Sequence, residues 1–370
     1  MKKKLVLVGL ILSITALPIA ACAQGTPAPA PAPAPVTITA PAPSPGTVTA
    51  PAPAPKTVIA PAPATVTLRA VNGSNPASAF YTSWRWYMNR VAELSDGNLT
   101  IELLGGPSVM PGRDQGEAVA NGIFDMTVGL GAWIAKLVPH FDFVYSRRIS
   151  VGEMHSRGAF DLLRKESAAV GWYYIGMPGY AIDNSYYYST SSKVSTPSQL
   201  KGQRVATFSL LKPFFEDLGM TVLLLSPADK YSAIERGLAD GNGAPLSGLH
   251  KGGYSKLLAW WIDHGVFSSS QNIIMNLDKY NSLPKEHQDV LNQAMRDLEE
   301  ADKTNMDKME SAVKKELIEG DGMTPITFSP SDAKTYMDTA YQARLADLNE
   351  KYPDIADMMH ELWGISSKQK

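Results

Sequence analysis

The sequence predicts an α/β fold: two α/β lobes spanned by one long helix. Three observations predict it. Strand-like apolar runs alternate with helical patterns nearly throughout residues 65–370. That body is about 300 residues long, enough for two lobes with separate cores. A helical pattern from about Pro284 to Glu319 would run roughly 54 Å, longer than one lobe is wide.

The chain opens outside that body. "MKKK" is a positive n-region, "LVLVGLILSITAL" an apolar h-region, and "PIAAC" holds small residues at a cut, so residues 1–21 read as a secretory signal rather than a membrane span. Ile19-Ala20-Ala21-Cys22 resembles a bacterial lipobox, whose cysteine is diacylated and becomes the new N-terminus. Cys22 is the only cysteine in the sequence, so no internal disulfide forms, and lipidation at Cys22 is the expectation. Residues 26–64 hold thirteen of the 27 prolines and no acidic residue. "TITAPAPSPG", "TVTAPAPAPK" and "TVIAPAPA" repeat there at a ten-residue step, too short for a solenoid unit. Pro-Ala composition favours polyproline II, which at about 3.1 Å per residue reaches roughly 120 Å, and the segment reads as a stalk. Without the signal the chain carries 31 basic and 36 acidic residues, net −5. No basic cluster suits nucleic acid and no second apolar run spans a bilayer.

The body begins with "TVTLRAVN", a strand, then Asn75-Pro76, a cap followed by proline at the first helical position. Phe80, Trp84, Met88, Val91 and Leu94 recur at helical spacing. "SDGN" turns the chain into the strand "LTIELLG". "DQGEAVANG" is a short helix ended by Gly122, and "IFDMTVG" is the next strand. "FDFVY" looks strand-like. The second lobe repeats the rhythm: strand "GQRVATF", a helix closing at Gly219, and "MTVLLL" as a buried strand. Ser226-Pro227-Ala228-Asp229 opens a helix in capping-box style that ends at Gly237. After "NIIMNLDKY", Val290, Leu291, Met295, Leu298, Met309, Val313 and Leu317 mark one side of the long helix. It either bridges both lobes or breaks near 302–305; bridging is favoured.

Signatures of chemistry are missing. The sequence has no G-x-S-x-G elbow, H-E-x-x-H, P-loop or EF-hand loop. The six histidines (His140, His155, His250, His264, His287 and His360) lack ligand spacing, and no metal or cofactor is expected. The asparagine sequons "NGS" and "NLT" carry no weight in a bacterial lipoprotein. Aromatic clusters are richer: "WRWY", "GWYY", "SYYYS" and "AWWIDHG". Most are ordinary core, but binding clefts are apolar and aromatic with a few placed polar groups. Tyr187 and Trp260 stand where walls between the lobes would lie.

Five segments carry a resemblance over residues 65–320: "ELSDGNLTIELL", "EAVANGIFDMTVG", "STPSQLKGQRV", "LSPADKYSAIERGLADG" and "LPKEHQDVLNQA". In this order they resemble the solute-binding proteins of TRAP transporters, the DctP family. The resemblance implies a periplasmic-binding-protein-like fold, with two α/β lobes joined by hinge strands and a small-molecule ligand enclosed between them. It implies no enzyme, an extracytoplasmic location, and the TRAP permease membrane subunits as partner. The expected boundaries are 1–21 signal, 22–64 lipidated linker, 65–192 lobe I, 193–271 lobe II, and 272–370 returning to lobe I. Hinge strands are expected near 193–201 and 271–276.

Two departures bear on the ligand. The family typically reads L-K-G-x-K-x-R, with the last arginine clamping a carboxylate. Here "LKGQRVA" keeps Arg204 but places Ala206 at the clamp. Where the family often has D-G-x-E-N-P, this chain has "DGNGAP", with Asn242 followed by Gly243 and Ala244. Hydrogen bonds to a charged group contribute about 1.5–3 kcal/mol each, so the loss weakens an acid roughly ten- to a hundredfold or more. Arg147 and Arg148 are the substitute cations, with a solvated surface pair as the plain alternative. An aromatic or weakly polar ligand would instead use Phe208, Trp133 and Trp260 as walls. The candidate ligand-binding residues are therefore Asn75, Trp133, Arg147, Arg148, Tyr187, Ala206, Phe208, Asn242 and Trp260. The rival readings keep the fold as the receptor of a membrane sensor, or make the chain an anchored extracellular enzyme.

Overall fold

The computed structural model describes residues 65–74, 80–178, 185–268 and 271–365. The signal, Cys22, the Pro-Ala stalk and Asn75 lie outside the described residues. Strands β1 (Val66–Asn72), β2 (Leu99–Gly105), β3 (Met126–Leu130), β4 (Trp172–Gly176) and, late in the chain, Gln271–Asn276 form a five-stranded sheet. A six-stranded sheet takes β5 (Tyr187–Thr190), β6 (Arg204–Thr207), β7 (Thr221–Leu224), β8 (Gly241–Ala244), β9 (Trp260–Ile262) and a last strand, Thr324–Ile326. With Gln271–Asn276 as β10 and Thr324–Ile326 as β11, the orders are β2-β1-β3-β10-β4 and β11-β9-β5-β8-β6-β7.

Helices cover both faces of each sheet, the arrangement that lets mixed sheets bury both sides. On the first sheet, Trp84, Tyr87 and Val91 of helix Phe80–Leu94 pack with Leu291, Met295 and Leu298 of the long helix against Leu68, Val128 and Ile273. Its other face holds Phe141, Phe160, Trp172, Tyr174 and Trp363. The second sheet packs Tyr188, Val205 and Ile262 against Phe214, Phe215 and Tyr336. Tyr187, Ala206 and Trp261 lie in the core on its opposite face, with Ile234, Leu249 and Leu317. Burying each such large side chain contributes roughly 1.5–3 kcal/mol before the entropy of ordering it.

The local signals hold in several places. Ser226 Oγ accepts from the Asp229 N–H at 3.3 Å, and Gly122, Gly219 and Gly237 end their helices with φ of +72°, +73° and +67°. The long helix runs unbroken over Lys285–Glu319. It packs on helix Phe80–Leu94 and β4 in the first lobe, then on helix Ser247–Lys251 and β11 in the second, so it bridges.

Other expectations change. "FDFVY" lies in a 3-10 helix, Pro139–Ser146, opened by its proline; a short apolar run carries no usable period. β7 pairs only with β6 and is half exposed, an edge rather than a buried strand. The lobe boundary moves as well. β5 already belongs to the second sheet, so the chain first changes sheets between β4 and β5, ahead of the expected 193. β10 is a central strand of the first sheet, so the chain crosses back between β9 and β10. The segment after 271 does not simply return to the first lobe, because β11 and much of helix Pro330–Lys351 pack in the second.

Candidate ligand-binding site

The two crossings touch each other. Tyr186 and Val266 form an antiparallel bridge, with N–H···O distances of 3.1 and 2.8 Å, and the Ser185 N–H donates to the Phe267 carbonyl at 2.8 Å. Phe267 holds a φ of +56°, unusual for a bulky residue. The ends of β1, β3, β6 and β8, and the starts of β5 and β10, meet this junction.

On the first lobe, β3 runs directly into the short helix Gly131–Ile134, which carries Trp133. The indole is wedged among glycines. A Cβ built on Gly73, Gly112 or Gly129 would come within 2.4, 2.6 or 3.3 Å of it, so side chains at 73 and 112 would collide with the ring. Beside it stand three amides. Asn72 accepts from the Ser74 N–H at 2.7 Å, Gln271 donates to Ser74 Oγ, and Asn272 accepts from the Tyr174 hydroxyl at 3.1 Å. Asn72 Nδ2, Gln271 Oε1 and Asn272 Nδ2 are buried without a hydrogen-bond partner among the described residues. Such groups are costly to leave unpaired. The Tyr145 hydroxyl accepts from the Ala132 N–H at 3.0 Å, and burial followed by the nearby Tyr186 pushes its pKa well up.

On the second lobe, Phe208 follows β6 and sets its edge against Tyr186, with ring centroids 5.4 Å apart. Over the Phe208 ring, 4.8 Å from its centre, lies the ammonium of Lys230. Lys230 sits on helix Pro227–Glu235, is 6% exposed, and is pushed down to about 8 by desolvation.

The structure thus brings Trp133 and Phe208 to the junction and separates most of the other candidates from it. Arg147 is wholly buried in the first lobe, donating to the Val144 carbonyl at 3.3 Å. Arg148 points elsewhere: it is exposed, stacks 4.3 Å from the Tyr341 ring centre, and its N–H donates to the Trp363 carbonyl. It belongs to the seam with the C-terminal helices. Ala206 is fully buried inside the second sheet, in one row with Asn242, Ser189 and Trp261. That row lies three residues along β5 from the Tyr186 bridge, so Ala206 and Asn242 sit inside the sheet, where Asn242 Oδ1 is likewise buried without a hydrogen-bond partner among the described residues. Tyr187 spends its hydroxyl on Glu310 of the long helix. Trp260 pairs with Thr190 and Thr324 at the end of the sheet away from the junction. Arg204, read as structural, clasps Asp240 through Nε and Nη2 at 3.0 and 2.6 Å.

Sequence reasoning passed over Lys230 and the three amides. For Lys230 a signal existed: with Ala233 and Ile234 it occupies positions i, i+3 and i+4, one buried helix face.

The family model described as bacterial extracellular solute-binding protein, family 7 (DctP), matches residues 75–349. The chain belongs to this family. Among solved structures it is similar to a TRAP periplasmic solute-binding protein from Ochrobactrum anthropi, whose C-terminus is bound in its ligand-binding pocket (TM-score 0.70, 15% identity, covering 81% of this chain and 95% of that one). A DctP7 extracytoplasmic solute receptor of Bordetella pertussis, binding pyroglutamic acid, gives 0.69 at 14% identity, covering 81% and 100%. A Desulfovibrio salexigens TRAP solute-binding protein with bound orotic acid gives 0.68 at 16% identity, covering 80% and 97%. At these identities the likeness is one of fold, and it is the fold of DctP-family receptors. Among the described residues no helix is long and apolar enough to cross a membrane.

Proposed function

We propose that this protein is a lipid-anchored extracytoplasmic receptor of a TRAP-type transporter. It captures a small organic acid between its lobes, leaves it chemically unchanged, and delivers it to the membrane permease. The observation that carries the reading is the junction itself. Trp133 in its glycine cradle and three amides with unpaired buried atoms sit where both crossings join the lobes. An aromatic face with convergent polar groups beside a hinge suits enclosure of a small polar molecule. The acids named for related folds, orotate, pyroglutamate and galacturonate, supply the first probes. Cys22 and the Pro-Ala stalk supply the tether, which metabolic labelling with a fatty-acid analogue and a Cys22→Ser control would read. Small-angle scattering and thermal shift of the purified protein with each acid test the capture step. A smaller radius of gyration and a raised Tm with at least one acid are expected. No change with any small solute would reject the reading.

A further inference from the structure

We propose that Lys230 is the anion-binding residue of this cleft and that the ligand is a small monocarboxylic acid whose carboxylate rests on its ammonium. The inference deepens the receptor reading and rests on it. Its ground is a charge without a counter-charge. Among the described residues the buried cations are Arg147, Lys230 and Arg344. Arg344 is held by Asp142 and Asp347. Arg147 lies inside the first lobe on the Val144 carbonyl. Lys230 has no carboxylate within 4.0 Å among the described residues, and its ammonium meets the face of Phe208. A ring face offsets only a small part of the cost of burying an ammonium, and all three N–H donors remain to be used.

The position is as telling as the pairing. Phe208 follows β6 at the junction and touches Tyr186, the residue through which the first crossing pairs with the second. The cation therefore lies at the crossing end of the second lobe, while Trp133, Asn72, Gln271 and Asn272 line the crossing end of the first. A carboxylate on Lys230 would leave the rest of the acid to the Phe208 edge, the indole and the amides. Those amides carry no charge, so a second carboxylate would find no cation there, and monoacids are favoured over diacids. A lysine binds as a point charge rather than a fork, so orientation falls to the amides.

Titration calorimetry of the wild-type protein with orotate, pyroglutamate and galacturonate, and with their carboxamides, tests this beside Lys230→Met, Lys230→Gln and Lys230→Arg. The expected result is at least one acid bound more tightly than its amide, at least tenfold weaker in both neutral variants, and within a few-fold of wild type in Lys230→Arg. Circular dichroism of the two neutral variants separates misfolding from lost binding. Acid affinity within twofold of wild type in either folded neutral variant overturns the lysine assignment and leaves the receptor reading standing. Amides bound as tightly as acids do the same. A wild-type protein that binds neither acids nor amides ends both.

Discussion

A largely buried ammonium beside a phenyl ring costs the fold more than it returns, and Lys230 sets a measurable stability against that cost. Its pKa falls from 10.5 to about 8, which corresponds to about 3 kcal/mol. Below pH 8 the folded and unfolded chains both hold the proton and the whole penalty is present. Between pH 8 and 10.5 the unfolded chain binds more protons, so stability climbs with pH. Lys230→Met is therefore expected to unfold about 3 kcal/mol later than wild type at pH 7, with the gap closing toward pH 10.5 in urea melts. Wild-type affinity for an acid should fall above about pH 8, a loss absent from Lys230→Arg; no titratable group packed against the lysine contributes to its shift. At Trp133 the glycine cradle makes a second prediction. Gly73→Ala would push a Cβ to within 2.4 Å of the indole, shifting tryptophan fluorescence and weakening ligand binding several-fold. Unaltered affinity would remove Trp133 from the site. Trp133 was legible because it is large and aromatic; Lys230 offered only its spacing with Ala233 and Ile234, a weak signal because a lysine on a short helix reads as solvated until its burial is known.

Strands show where such reading stops. Alternation correctly puts Ala206 and Asn242 on opposite faces from Val205 and Gly243, but a period of two says nothing about which face or which end meets a cleft. Register decides it, and register is not written in one strand. The sequence "GNGA" of β8 has no strand propensity to speak of, yet its glycines are required by neighbours. A Cβ on Gly243 would lie 2.5 Å from Phe215 and one on Gly241 would lie 2.3 Å from the Ser189 carbonyl. Gly243→Val should cost about 1–3 kcal/mol by overpacking, read from a chemical denaturation midpoint. The C-terminal helix offers a larger effect. Arg344 donates to Asp142 and Asp347 at 2.6 and 2.5 Å, 2% exposed, and fastens helix Pro330–Lys351 to the 139–146 segment. Arg344→Met leaves the Asp142 carboxylate without its cation, while Asp347 keeps Lys351, and is expected to cost about 3–5 kcal/mol. A loss below 1 kcal/mol would show that the pair is dispensable.

Across the whole molecule, alternation of strands and helices was enough to foresee two α/β lobes and the bridging helix. The crossings were misjudged, because the residues that swap sheets look no different from other strand starts. The long helix holds both of them on its second-lobe half. Glu310 accepts from the Tyr187 hydroxyl, just after the first crossing. Lys314 binds Asp263, at the start of the second, at 2.9 Å, and lies 5.4 Å from the Tyr187 ring centre. A swing of the lobes is expected to pivot where the chain passes between the sheets, between β4 and β5 and between β9 and β10. Glu310→Gln combined with Lys314→Met should loosen this clamp, broadening the ligand-free scattering profile without abolishing binding; an unchanged profile would place the pivot elsewhere.

A rigid strut fastened to both halves forbids some movements altogether. Spin labels at Glu286 and Lys315, both exposed on the continuous helix, sit about 44 Å apart by helical rise. That separation has to survive any swing of the halves, so substrate traffic would register only in label pairs mounted off the strut.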